Sequence, residues 1–219
     1  SNLHPNTYQP PSIKFANIVV IGAGYVGLSN AILLAQDRLD TQVLLFDINQ
    51  TKIKQLQQNQ SPLQDKEICD YLANKPLNLR ASYDTEIDGQ GIYQNSDLVI
   101  IATPTNYDVA SGHFDTSSVE ASIAAVREQN GSVPIVIKST IPIGFTDSMR
   151  QRFDSQIIFM PEFLREGQAL YDNLYPSRII VGATEEQQSL AQALMSLYQH
   201  ASESAEVPTL MMPPTEAEA

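Results

Sequence analysis

The sequence predicts an α/β fold with a doubly wound, mostly parallel sheet and helices on both of its faces. Short apolar segments of strand length alternate along the chain with segments whose apolar residues recur at helical spacing. Most of the strand segments are continuous apolar runs, which is typical of strands that are covered on both faces. The chain shows no internal repeat at solenoid spacing, so a repeat architecture is not predicted.

The composition excludes several classes of function. With 13 Lys and Arg against 25 Asp and Glu, the net charge of -12 argues against a nucleic-acid partner. The single cysteine, Cys69, excludes a disulfide framework and fits a reducing, cytoplasmic compartment. No apolar run approaches the roughly 20 residues that span a bilayer, so no membrane partner is expected. Three scattered histidines predict no metal site.

The elements of the first half follow from hydrophobic spacing and turn residues. Residues 1–14 are polar and proline-rich, and we expect a disordered leader or a tag remnant there. Apolar runs that end at a glycine, an acid or a polar turn predict strands over 17–21, 42–46, 77–81 (an edge strand) and 97–102. Apolar residues three or four apart predict helices over 25–36, 51–58 and 66–73.

The second half continues the alternation. Strands are predicted over 134–138, 156–160, 178–181 and 207–211, and helices over 117–129, 144–153 and 185–200. Ser117 and Glu120 have the spacing of a capping box at the start of the first of these helices. The predicted elements make a single domain over 15–211.

A glycine-rich turn joins the first strand to the first helix, and it consists of Gly22, Ala23, Gly24, Tyr25, Val26 and Gly27. In this G-x-G-x-x-G pattern the glycines permit a tight turn, close approach of a pyrophosphate and close packing of helix on strand. The helix N-terminus then offers N–H groups to phosphates. Asp47 ends the next strand, 20 residues past Gly27, where its carboxylate can accept hydrogen bonds from ribose hydroxyls. Together these features predict a Rossmann-like dinucleotide site.

The same carboxylate predicts the choice of cofactor. A 2′-phosphate beside Asp47 would meet a like charge, so NAD is favoured over NADP. Lys52 is the nearest cation in sequence, and it either reaches the ribose or phosphates or is a solvated helix lysine.

Polar segments follow three of the predicted strands, where ligands of such sheets bind. They contribute the candidate residues Thr103, Pro104 and Thr105 after 97–102, Ser139 and Thr140 after 134–138, and Glu162, Phe163, Leu164, Arg165 and Glu166 after 156–160. Each could be an ordinary turn residue, but three such segments at strand ends favour a binding site.

Four segments resemble the NAD-binding domain of the UDP-glucose/GDP-mannose dehydrogenase family, and most closely its UDP-glucose 6-dehydrogenase branch. They are GAGYVG, TPTN, KSTIPIGFTD and PEFLREGQALYDNLYPSRIIVG, and the resemblance extends over 17–219. It implies an enzyme that oxidises UDP-glucose twice to UDP-glucuronate with two NAD. A cysteine nucleophile would carry the sugar as a thioester, which water hydrolyses.

The resemblance also implies roles for individual residues. Thr140 and Glu162 would position water and assist proton transfer, while Glu166 and Thr140 would border the nicotinamide. Thr103 would contact the cofactor from the TPT turn. The other candidate cofactor contacts are those predicted from the motif and the strand ends: the glycine-rich turn, Asp47, Lys52, Pro104, Thr105 and Ser139. The segment from Glu162 to Glu166 would also line the sugar-nucleotide site, bringing two carboxylates into one small site.

The cysteine segment of the family is missing from the sequence, and so are the lysine and asparagine of its long central helix. The cysteine of the family lies in a G-x-C-x-P-K-D segment that does not occur here, and Cys69 lies between acids that disfavour its thiolate. We therefore expect a truncated N-terminal domain, inactive alone, in which 212–219 begin the central helix. The complete enzyme is expected to be a homodimer.

Two alternatives to this interpretation remain open from the sequence. The first is a dehydrogenase of another nucleotide sugar, of the GDP-mannose or UDP-N-acetylmannosamine type. The second is a non-catalytic NAD-binding module.

Overall fold

The computed structural model describes residues 13–154, 156–204 and 206–219. Most of the predicted leader therefore lies outside the described residues. The helices are α1 Tyr25–Leu34, α2 Gln50–Gln57, α3 Lys66–Asn74, α4 Ser117–Gln129, α5 Phe145–Arg152, α6 Ala169–Leu174, α7 Gln188–Ala201 and α8 Pro214–Glu218. The strands are β1 Asn17–Ile21, β2 Gln42–Phe46, β3 Leu79–Ser82, β4 Glu86–Ile87, β5 Gln90–Gly91, β6 Leu98–Ile101, β7 Tyr107–Asp108, β8 His113–Phe114, β9 Ile135–Ile137, β10 Ile157–Phe159, β11 Ile179–Gly182 and β12 Thr209–Met212.

Eight of these strands form one sheet in the order β12-β11-β10-β9-β6-β1-β2-β3. Every neighbouring pair is parallel except β10 and β11, which run antiparallel. The predicted α/β fold with a doubly wound, mostly parallel sheet is confirmed.

The central strands are buried on both faces of the sheet. On one face of the sheet, Val20 of β1 belongs to an apolar core that includes residues of α1, α2, α3, α6 and α7. On the other face, its neighbour Val19 belongs to a core that includes residues of α4 and α5. Each face therefore has its own apolar core, which explains why the strands are continuous apolar runs without a polar alternation.

The position of β1 creates the crevice in which a ligand can bind. β1 pairs with β2 on one side and with β6 on the other. The chain therefore adds β2 and β3 on one side of β1, and then crosses over to add β6 and β9 on the other side. At such a switch point the loops beyond the carboxyl ends of the strands diverge and leave a crevice between them.

Several short elements differ from the prediction. Helix α6 and the two hairpins, β4 with β5 and β7 with β8, were not predicted. The hairpins close at Gly89 and Gly112, which have φ of 77° and 71°, a conformation that glycine adopts without strain. The predicted capping box is wrong: Thr116 is the N-cap of α4, and its hydroxyl donates to Glu120 at 3.0 Å.

Asp65 joins two helices beneath the loops of the sheet edge. Its Oδ1 accepts a hydrogen bond from the N–H of Ile68 at 3.1 Å and thereby caps α3. Its Oδ2 accepts from the N–H of Ala169 at 2.8 Å, at the start of α6. Because Asp65 is only 3% exposed, water cannot readily replace these contacts.

We expect Asp65→Ala to lower the free energy of unfolding by about 3 kcal/mol, since it removes a helix cap and a charged acceptor for buried N–H groups. Urea denaturation followed by circular dichroism measures the change. Asp65→Asn is the matched control and retains one acceptor oxygen, so its loss should be smaller. Equal stability of Asp65→Ala and the unchanged protein would contradict the assigned role.

Candidate functional site

The glycine-rich turn between β1 and α1 has three distinct local environments. Gly22 has a φ of 110°, and a Cβ there would lie 2.4 Å from the carbonyl oxygen of Ala102. A Cβ on Gly27 would lie 1.7 Å from the carbonyl oxygen of Gly22. A Cβ on Gly24, in contrast, would meet no atom within 4 Å. Gly22 and Gly27 are thus required by packing, while the space over Gly24 is open for a ligand.

The N-terminus of α1 opens toward the same space. Gly24 is its N-cap, and no side chain caps the helix. Tyr25 and Val26 are half-buried in the first turn, whose N–H groups carry the partial positive charge of a helix start. An anionic group of a ligand can therefore bind at this end of α1.

Asp47 lies against the glycine-rich turn. Its Oδ2 accepts from the N–H of Ala23 at 2.7 Å, and its Oδ1 accepts from the N–H of Asn49 at 2.8 Å. The carboxylate is half-buried and retains lone pairs for hydroxyl donors. Ile48, the next residue, is 84% exposed, and the half-buried Lys52 lies in the first turn of α2.

The loops that follow β6 and β9 are joined by hydrogen bonds. The hydroxyl of Ser139 donates to the carbonyl of Thr103 at 2.7 Å, and the hydroxyl of Thr105 donates to the carbonyl of Thr140 at 2.5 Å. Pro104 is exposed between the two threonines. The structure thus brings these five candidate residues into one unit at the sheet edge.

Glu162 follows β10 and is held in a polar cluster that the sequence did not predict. Its Oε2 lies 3.1 Å from Nζ of Lys138 and accepts from Nδ2 of Asn30 at 2.9 Å. The hydroxyl of Tyr198 donates to Oδ1 of Asn30 at 2.8 Å. We refer to Asn30, Lys138, Glu162 and Tyr198 as the Glu162 cluster.

The Glu162 cluster is almost closed to water. The side chain of Lys138 is 3% exposed and that of Glu162 is 13% exposed. Nζ of Lys138 also lies 4.9 Å from the ring centroid of Tyr198. Burial, and after it the negative charge of Glu162, raises the pKa of Tyr198 well above its ordinary value. The phenol therefore stays protonated and remains a donor to Asn30.

A pocket of about 330 Å³ opens beside the Glu162 cluster. Phe163, Leu164 and Arg165 line it together with Glu162. Arg165 forms a two-point ion pair with Asp172, with distances of 2.7 and 3.1 Å. This pair orders the loop, and its hydrogen bonds lower the pKa of Asp172.

Glu166 is placed differently from Glu162. It is exposed and is not a lining residue of the pocket. The charged partner of Glu162 is Lys138, where the sequence led us to expect a second carboxylate.

Two further findings concern the described ranges 13–154, 156–204 and 206–219. Within them, no group of three or more His, Cys, Asp or Glu side chains is arranged to hold a metal ion. No helix in these ranges combines the length and the apolarity needed to cross a bilayer.

Comparison with known proteins identifies similar chains. The model of the UDP-glucose/GDP-mannose dehydrogenase family, NAD binding domain, matches residues 16–202. UDP-glucose 6-dehydrogenase of Streptococcus pneumoniae is 46% identical over 205 residues, which are 92% of this chain and 50% of that protein. The Campylobacter jejuni enzyme of the same name is 44% identical over 166 residues, covering 75% of this chain and 41% of that protein.

A solved structure gives the same picture. A UDP-glucose dehydrogenase from Pyrobaculum islandicum superposes with a TM-score of 0.76 at 28% identity, covering 96% of this chain and 49% of that one. The chain thus spans about half the length of these relatives.

Proposed function

Since the chain belongs to the UDP-glucose/GDP-mannose dehydrogenase family and contains its NAD-binding domain, we propose that it is the cofactor half of a UDP-glucose 6-dehydrogenase. The observation that carries the proposal is the open space over Gly24, next to the uncapped N-terminus of α1 and the Asp47 carboxylate. A pyrophosphate and a ribose of one dinucleotide fit these two groups at once.

In this proposal each part of NAD has its own contacts. The pyrophosphate binds the N–H groups of the glycine-rich turn, and the adenosine ribose donates hydroxyl hydrogen bonds to Asp47. The exposed side chain of Ile48 offers an apolar surface to the adenine. Lys52 stays a candidate contact to the ribose or phosphates. The nicotinamide half lies against the joined loops with Thr103, Pro104, Thr105, Ser139 and Thr140, and is bordered by Glu166.

The proposed reaction converts UDP-glucose to UDP-glucuronate in two oxidations at C6. NAD supplies a hydride acceptor for each of them. Thr140 and Glu162 hold the water that hydrolyses the intermediate thioester, and Glu162 takes a proton from it. Phe163, Leu164 and Arg165 contact the sugar nucleotide from the wall of the pocket.

The cysteine nucleophile is proposed to come from outside this chain. Cys69 is exposed on α3, far in the sequence from the loops described above, and no G-x-C-x-P-K-D segment surrounds it. We therefore propose that this chain alone binds NAD and does not turn over. The complete enzyme is proposed to be a cytoplasmic homodimer.

The domain boundaries also belong to this proposal, with the NAD-binding domain over 15–211 and the start of a central helix over 212–219. Contacts within the described residues bear on how the second segment is attached. Glu218 of α8 accepts hydrogen bonds from the N–H groups of Gly144 and Thr146, at 3.0 and 2.9 Å. A helix that begins here would thus be fixed to the first turn of α5.

We expect the complete gene product to form two NADH and one UDP-glucuronate for each UDP-glucose consumed, and this chain alone to form none. Absorbance at the NADH band and chromatography of the nucleotide sugars measure both. GDP-mannose and UDP-N-acetylmannosamine are assayed in parallel. If either is oxidised in preference to UDP-glucose, that nucleotide sugar is the substrate instead. NAD binding without oxidation of any of the three would instead indicate a non-catalytic module.

A further inference from the structure

The two carboxylate oxygens of Glu162 have different surroundings. Oε2 receives both the Lys138 ammonium and the Asn30 amide. Within the described residues, no hydrogen-bond donor contacts Oε1, and this oxygen is not fully buried. One oxygen is therefore anchored, while the other stays accessible from the side of the pocket.

Hydrogen bonding fixes the orientation of Asn30. Its Nδ2 donates to the carbonyl of Val26 at 2.7 Å and to Glu162, and its Oδ1 accepts from Tyr198 at 2.8 Å. If the amide were flipped, its oxygen would face two other acceptors, the Val26 carbonyl and Oε2 of Glu162. Only the observed orientation therefore gives every polar atom of the amide a hydrogen-bond partner. Asn30 is 0% exposed, and no water competes for these contacts.

Stability alone does not explain why Lys138 is buried. A buried ion pair gains little over apolar residues of the same volume, because the loss of hydration offsets the attraction between the charges. The Glu162 cluster instead connects four separate elements: α1, α7, and the ends of β9 and β10. Such a cluster fixes the direction of one carboxylate with high precision.

We propose that Lys138 and Asn30 are positioning residues that hold Oε2 of Glu162 and so direct Oε1 at the reacting water. This inference rests on the proposed function and deepens it. In the step concerned, the water oxygen bonds to the acyl carbon of the thioester, and Oε1 takes one proton of the water. The carbon–sulfur bond then breaks, the sulfur leaves as a thiolate, and the product is a carboxylic acid.

The proposal separates the two halves of the reaction. Formation of the thioester needs NAD and the cysteine, whereas its hydrolysis needs the oriented Glu162. Loss of the anchor should slow the hydrolysis about tenfold or more, because a misplacement of about 1 Å can reduce a rate about 100-fold. The covalent intermediate should then accumulate.

Rapid quenching of the complete gene product during turnover, followed by mass spectrometry of the protein, measures this accumulation. We expect Lys138→Met to raise the fraction of enzyme carrying the adduct at least about fivefold, with an unchanged KM for UDP-glucose. Tyr198→Phe removes only the donor to Asn30 and should produce a smaller accumulation. If Lys138→Met does not fold, the adduct level of Tyr198→Phe tests the positioning role in its place.

Arg127→Met is the matched control. Arg127, near the end of α4, forms a partly buried ion pair at 2.6 Å with Asp154, which precedes β10. The pair therefore lies away from the carboxyl ends of the strands, which carry the site. Its loss destabilises the fold without touching Glu162, so the adduct should stay at the wild-type level.

The outcomes distinguish the two proposals. Accumulation in Lys138→Met and not in Arg127→Met supports the positioning role. Equal adduct levels in both variants, with normal turnover of the wild type, would overturn the positioning role and leave the proposed function intact. A wild-type protein that oxidises no nucleotide sugar would overturn the proposed function itself.

Discussion

Gly27→Ala is expected to lose about 3 kcal/mol or more of unfolding free energy, because the new methyl group would overlap a backbone oxygen. The Cβ would stand 1.7 Å from the carbonyl of Gly22, so α1 would have to move away from β1. That movement would also open the apolar core around Leu28 and Ile32, which are both fully buried on α1. Urea denaturation followed by circular dichroism measures the loss.

Gly24→Ala is the matched control for this prediction. It makes the same chemical change three residues earlier, where no atom lies within 4 Å. Its unfolding free energy should stay within about 1 kcal/mol of the unchanged protein, while NAD affinity should fall at least about tenfold, because the methyl group occupies the space for the pyrophosphate. Similar stability of the two variants would contradict the assigned roles of the glycines.

Asp47→Asn is expected to reduce the preference for NAD over NADP by about 100-fold or more. The substitution removes a charged acceptor for ribose hydroxyls, and a hydrogen bond to a charged group contributes about 1.5–3 kcal/mol. It also removes the like charge that a 2′-phosphate would meet. Because Asp47 accepts from the N–H groups of Ala23 and Asn49, the variant should loosen the glycine-rich turn as well.

Fluorescence titrations with NAD and NADP measure the two dissociation constants. Asp40→Asn is the control, since it removes the same charge from the exposed turn before β2, at the opposite end of that strand. Its cofactor preference should not change. An equal effect of both substitutions would show that net charge, and not the ribose contact, determines the preference.

The cofactor half of the site could be predicted from the sequence because its determinants are local. The glycine-rich turn and Asp47 are marked by residue type and by their positions at the ends of two neighbouring strands. The structure places them in direct contact, with the hydrogen bond from Ala23 to Asp47.

The Glu162 cluster could not be predicted in the same way. Asn30 and Glu162 are 132 positions apart, and Tyr198 is 168 positions from Asn30, so no local pattern reports their contact. Two weak signals existed in hindsight: a lysine that ends an apolar strand and an asparagine within the apolar helix α1. Each is compatible with an ordinary surface position until the packing of four elements is known.

The short elements escaped prediction for a similar reason. Helix α6 has only six residues, too few for a helical period to stand out, and its start is stabilised by Asp65 from a distant segment. The two hairpins have strands of two residues each. Their formation depends on turn glycines and tertiary contacts more than on hydrophobic spacing.

Calorimetric titration of this chain with NAD tests the central claim most directly, namely that the space over Gly24 and the carboxylate of Asp47 hold one dinucleotide. We expect a saturable heat of binding with one NAD per chain, weaker binding of NADP, and at least about tenfold weaker binding of NAD by Gly24→Ala. A flat titration with millimolar NAD, obtained from a protein that unfolds cooperatively, would contradict the claim.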